Sequence, residues 1–120
     1  FDGAKALRGG VPLVFPQFAR PDQSMPQHGF IRTSKWTYIG SLNGDDSVTA
    51  FFRLTRDEVN TTWSHQFVSV YEVTLTSEAL QYSLRVYNTD LSEFPFQALL
   101  HTYLRVPRIE EVQVKGLKSW

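Results

Sequence analysis

Four side chains in this sequence have the types and settings for chemistry on a polar or anionic ligand: Arg8, His28, Arg32 and His101. Arg8 precedes Gly9-Gly10, and Arg32 closes the run Pro26-Gln27-His28-Gly29-Phe30-Ile31-Arg32. An arginine fork beside adaptable glycine backbone suits a phosphate or a row of sugar hydroxyls. A solvated surface arginine is the plainer alternative for either one. Histidine titrates near neutral pH, so it can give or take a proton there. His28 lies in a glycine- and proline-rich loop, where packing gives little reason for an imidazole. His101 follows the apolar run Phe96-Gln97-Ala98-Leu99-Leu100, and for it a hydrogen-bonded structural role competes. His65, beside Trp63 and Ser64, reads most simply as a solvent-exposed loop residue.

Several chemistries are excluded by pattern. The three histidines are far apart, without H-x-H or H-E-x-x-H spacing, so no metal site is expected. Cysteine is absent, which removes disulfides, thiolate ligands and a cysteine nucleophile. No G-x-S-x-G elbow is present, and Gly9-Gly10 lacks the lysine and spacing of a phosphate-binding P-loop. No acidic pair is marked as a glycosidase couple, and no cofactor is implied. Twelve basic against twelve acidic side chains give no net field, which argues against nucleic acid or an anionic membrane as partner. No apolar run approaches a membrane span, and no signal pattern opens the chain. Lack of cysteine fits a cytoplasmic protein. Asn60-Thr61-Thr62 is a formal glycosylation triplet of a kind that arises often by chance.

The elements that must position these residues are strands. At 120 residues, with 42% apolar and 14% aromatic content, the chain can build a core. Residues 1–33 are loop-rich, punctuated by Pro12, Pro16, Pro21 and Pro26, with one short apolar run from Val11 to Phe15. Thr33–Gly40 has strand-forming types, Leu42–Asp46 a turn built on Asn43-Gly44, and Ser47–Thr55 the returning strand. Phe51 breaks the alternation there, so the second face is expected to be partly covered. Arg56–His65 is an irregular connection with room for one helical turn. Gln66–Thr76 and Leu80–Tyr87 alternate on two-residue spacing around Ser77-Glu78 and predict a tight hairpin. A strand is predicted over Pro95–Leu104, with His101 and Tyr103 on one face, and a last short one over Val112–Gly116. The fold class is all-β, an antiparallel sandwich or part of one. The start at Phe1 inside a loop, and the end just after a turn signal, lead us to expect a fragment truncated at both ends.

Three runs in order, Arg8–Pro16, Pro26–Arg32 and Leu100-His101-Thr102-Tyr103-Leu104-Arg105-Val106, resemble the glucose-6-phosphate 1-epimerase family. That family is the hexose-6-phosphate mutarotase branch of the aldose 1-epimerases. The resemblance extends over essentially all 120 residues, supported by Trp63…Phe67, Asn88-Thr89 and Val114-Lys115-Gly116-Leu117. It implies a galactose mutarotase-like β-sandwich of which 1–120 is one partial domain. The implied reaction interconverts sugar anomers through the open-chain aldehyde, without redox chemistry or a metal. It further implies His101 as general acid near the ring oxygen and His28 as a second active-site histidine that orients the sugar. Arg8 and Arg32 would hold the 6-phosphate, with a hexose 6-phosphate as the ligand. The family's general base is a glutamate well downstream of the His-Thr-Tyr motif, and Glu58, Glu72, Glu78, Glu93, Glu110 and Glu111 do not match it. The segment alone is therefore expected to be inactive. Two other readings stay open: a non-catalytic sugar-phosphate-binding or complex-forming protein on the same fold, and a free-aldose mutarotase, against which the arginines argue. Oligomeric state is left open by the sequence.

Overall fold

A computed structural model describes residues 9–116. Arg8, and the end of the sequence from Leu117, lie outside them. The described residues form an all-β, antiparallel architecture in two sheets. A four-stranded sheet runs in the order β2 (Thr37–Asn43), β3 (Ser47–Thr55), β4 (Phe67–Thr76), β5 (Leu80–Asn88), each strand antiparallel to its neighbour. A two-stranded sheet pairs β1 (Leu13–Val14) with β6 (Leu99–Leu100).

The large sheet is a continuous meander, and its β2–β3 and β4–β5 turns are short and chemically specified. At the β2–β3 turn the Gly44 amide donates to the Ser47 carbonyl at 2.8 Å. At the β4–β5 turn the Thr76 hydroxyl accepts from the amides of Ala79 (2.9 Å) and Glu78 (3.2 Å), a side chain standing in for a turn carbonyl. The register Leu54↔Ser69↔Val86, Phe52↔Tyr71↔Leu84, Ala50↔Val73↔Tyr82, Val48↔Leu75↔Leu80 puts one alternating set on one face. Phe51, half-buried, lies on the opposite face across from Glu72, as its break in the alternation predicts.

Only one end of the alternating face is covered. Leu13, Phe15, Met25, Phe30 and Ile31 from the loop-rich segment pack on Leu54, Val59 and Phe67, with Trp36, Trp63 and Phe94 at the margin. Phe15 is fully buried and touches Trp63, Phe67 and Phe96 with ring centroids 5.2–5.4 Å apart, at angles typical of favourable aromatic contacts. At the far end Val48, Leu75 and Leu80 are about half exposed.

The 56–65 connection opens with a single 3₁₀ turn, Arg56–Glu58. Glu58 caps it, accepting from the Thr55 amide at 2.8 Å and the Thr55 hydroxyl at 3.0 Å. The Arg56 guanidinium donates to the carbonyls of Val59, Thr61 and Trp63, bracing the rest of the connection.

Two sequence expectations need correction. The predicted Pro95–Leu104 strand is regular only at Leu99–Leu100. The physical reason lies opposite it. Gln97, His101 and Tyr103 donate backbone N–H bonds to Pro16, Pro12 and Gly10 (2.8–2.9 Å), in the same antiparallel register as Leu13↔Leu100. Pro12 and Pro16 have no N–H to return, so the ladder is interrupted. The expected strand over Val112–Gly116 does not form; that region carries a 3₁₀ turn at Ile109–Glu111 followed by irregular chain.

Candidate active site

The one-sided pairing of 10–16 with 97–103 carries His101 to the loop that bears His28. The two imidazoles meet edge to face, centroids 5.8 Å apart, although 73 residues (101 minus 28) separate them in the chain. Both are half-buried. His101 is stacked on Tyr103 at 5.1 Å and 22° between planes, as the spacing of two predicts. His28 lies against Phe18 at 5.0 Å. The rings of Phe18 and Tyr103 are 47% and 39% exposed, so each histidine is backed by an aromatic side chain open to solvent.

The loop that holds His28 is fixed at both ends. Phe15 and Gly29 form a bridge, with the Phe30 amide donating to the Phe15 carbonyl at 3.1 Å. Gly29 has φ +72, and a Cβ there would collide with the Phe15 carbonyl, so no other residue fits. Gly10 also takes a left-handed turn at φ +66, yet a Cβ there would meet nothing. The left-handed turn is thus the reason for glycine at position 10.

Two glutamines brace the loop, and sequence reasoning missed both. Gln17 is buried; its amide donates to the carbonyls of Asp22 and Pro26 while its oxygen accepts from the Asp22 amide. The Gln97 side-chain oxygen accepts from the Phe18 amide at 2.9 Å, while the Gln97 backbone N–H donates to the Pro16 carbonyl. A side-chain amide both donates and accepts, which suits proline-rich loop whose backbone donors are depleted. That shortage of donors is the signal the sequence did carry.

Arg32 is exposed, and its guanidinium donates to the Gln27 carbonyl at 2.6 Å, in the turn that carries His28. Arg8 lies outside the described residues. His28 and His101 are thus brought together, and Arg32 is held on the same loop.

His65 is not the exposed loop residue that sequence suggests. It is half-buried, stacked on Phe94 at 4.9 Å, and 3.2 Å from an Asp90 carboxylate oxygen through Nδ1. Asp90 also accepts from the amides of Gln66 and Leu91. These backbone bonds, ahead of the contact with His65, hold its carboxyl below the usual value. The pair ties the entry of β4 to the loop after β5 and is a structural clasp. Tyr71 is equally ill-suited to neutral-pH proton transfer, since burial, with Tyr82 stacked beside it, pushes its hydroxyl up to about 12.

Four of the six glutamates show other employment. Glu58 is a turn cap, Glu72 lies 2.7 Å from Arg85 on the sheet face away from the core, and Glu110 and Glu111 flank Arg108. Among the described residues no cluster of three or more histidine or acidic side chains could hold a metal ion, and no helix is long and apolar enough to cross a membrane.

A family model described as aldose 1-epimerase matches residues 1–120. The chain belongs to the aldose 1-epimerase family. Among curated relatives, proteins named "Putative glucose-6-phosphate 1-epimerase" from Escherichia coli strain K12 and Salmonella typhimurium are each 33% identical to it over 98% of its length. One of the same name from Cenchrus ciliaris is 33% identical over 99%. The chain spans 39% of the length of each of these three relatives. No solved structure gives a significant match.

Proposed function

We propose that this chain contributes the histidine-bearing part of a hexose-6-phosphate mutarotase, an isomerase that equilibrates the α and β anomers of glucose 6-phosphate. The observation that carries this reading is the 5.8 Å approach of His28 and His101, with Arg32 held on the loop that bears His28. The names of the relatives support the phosphorylated substrate.

His101 protonates the ring oxygen as a carboxylate base removes the proton from the C1 hydroxyl, opening the ring to the aldehyde. Rotation about the C1–C2 bond and reversal of the two proton transfers close it on the other face. The base is a glutamate of the complete enzyme that these 120 residues do not supply. The structural employment of Glu58, Glu72, Glu110 and Glu111 supports that assignment. Arg8 and Arg32 bind the 6-phosphate. A cytoplasmic location belongs to this reading and rests only on the absence of cysteine.

The test is mutarotation of glucose 6-phosphate followed by polarimetry or coupled anomer-specific oxidation. In an enzyme of the relatives' length that contains this segment, His101→Ala should lower kcat by about 10²–10⁴-fold. Arg32→Ala should chiefly raise KM for the phosphorylated sugar. The 120-residue chain alone should give no acceleration, and a measurable rate from it would overturn the assignment of the base.

A further inference from the structure

The backbone of His101 is pinned by hydrogen bonds, but its imidazole is not. The His101 amide donates to the Pro12 carbonyl and the Tyr103 amide to the Gly10 carbonyl, both at 2.9 Å. Between them the Thr102 amide turns back to the Leu100 carbonyl at 3.0 Å, a three-residue turn centred on His101. The side chain has no such anchor. Among the described residues neither ring nitrogen of His101 has a hydrogen-bond partner. The rings it meets are His28, edge to face at 5.8 Å, and Tyr103, stacked at 5.1 Å with 22° between planes. His65 shows the alternative, since its Nδ1 lies 3.2 Å from the Asp90 carboxylate. Rotation about the histidine Cβ–Cγ bond is broad and two-fold when nothing holds the ring. An aromatic face can narrow that rotation without committing either nitrogen, which a hydrogen-bonding partner cannot do.

We infer that the ring of Tyr103 sets the plane of the His101 imidazole, and that the Tyr103 hydroxyl is not needed for this. Tyr103 is thus a positioning residue for the general acid, acting through His101. That second clause rests on the proposed function; the setting of the plane does not. Proton transfer to a ring oxygen needs the imidazole nitrogen within hydrogen-bond reach and aimed along the bond being formed. A misplacement of about 1 Å can cost about 10²-fold in rate. The hydroxyl has no hydrogen-bond partner among the described residues, so the contact that Tyr103 offers His101 is its face. At 39% exposure Tyr103 is outside the buried core, and replacing it leaves the packing around Phe15 intact.

The experiment pairs imidazole spectra with kinetics in an enzyme of the relatives' length that contains this segment. ¹H–¹³C correlation of the ¹³C-histidine-labelled protein reads the ring C–H signals of His101, assigned by their loss in His101→Gln. Stacking on an aromatic face displaces those protons upfield. The displacement should be present in the parent and in Tyr103→Phe, and absent in Tyr103→Leu. With glucose 6-phosphate, Tyr103→Leu should lower kcat by about 10–100-fold. Its KM should change by less than about threefold, the split expected when only transition-state alignment is lost. Tyr103→Phe should keep kcat within about threefold of the parent. No upfield displacement in the parent would overturn the stack. Equal losses in Tyr103→Phe and Tyr103→Leu would move the role to the hydroxyl and overturn the inference. A raised KM with kcat unchanged would overturn it too, by making Tyr103 part of the sugar-binding surface, and so would a lost displacement with no change in rate. If the parent itself does not accelerate mutarotation, the mutarotase reading falls, and the spectra alone decide whether Tyr103 sets the ring.

Discussion

The four-stranded sheet and the loop region of 9–36 with 94–103 are held together in opposite ways. The sheet has the regular backbone ladder, yet Leu54, Phe67 and Ser69 are its fully buried residues. The loop region has four residues in regular strand, yet it supplies Leu13, Val14, Phe15, Met25, Phe30 and Ile31 to the core, together with buried Gln17. The sheet is organised by hydrogen bonds along the chain, and the site by side chains packed and braced across it. A histidine pair on loops can therefore be as well fixed as one on strands, provided the loop carries the core.

This contrast can be broken by substitution. Phe15→Ala should cost about 3–5 kcal/mol, because it empties a fully buried aromatic position against Trp63, Phe67 and Phe96. Urea denaturation would measure the loss, and the His28–His101 contact should go with it while the β4–β5 hairpin register survives. Gln17→Ala should cost about 1–3 kcal/mol by leaving the Asp22 amide and two loop carbonyls without their partner. Its signature is faster amide exchange in 17–28 with little change in the sheet.

The Asp90 clasp should show in acid. Its carboxyl lies below the ordinary value in the folded chain, so its stabilisation is present above about pH 4 and is lost as pH falls through the folded value. Asp90→Asn should flatten that part of the stability-versus-pH curve measured by thermal unfolding. The smallest effect is expected at the open end of the sheet. Leu75→Ser, at a side chain 58% exposed, should change stability by less than about 0.5 kcal/mol. A large loss there would mean that the end row is not solvent-facing in solution.

Legibility in the sequence followed the same division. The strands β3 to β5 could be read from two-residue alternation, and the turns from Asn43-Gly44 and Ser77-Glu78, while β2 was signalled only by strand-forming types over Thr33–Gly40 and lies at Thr37–Asn43. The identity of the site residues came from motif resemblance. What could not be read was the 95–104 pairing, since the prolines that interrupt it stand some 80 residues away. His65 was misjudged for a like reason, because Asp90, its partner, is 25 residues downstream. Ala19 and His28, left-handed at φ +55 and +67, were equally hidden, since alanine gives no sign of positive φ.

The interrupted ladder also sets which motions the site permits. Gln97, His101 and Tyr103 are anchored along one edge, to Pro16, Pro12 and Gly10, in the single register that Leu99 and Leu100 share with Val14 and Leu13. Sliding by even one step would break all three anchors together. The backbone of His101 is therefore held in one register opposite Pro12, and the pairing that fixes it lies outside the large sheet.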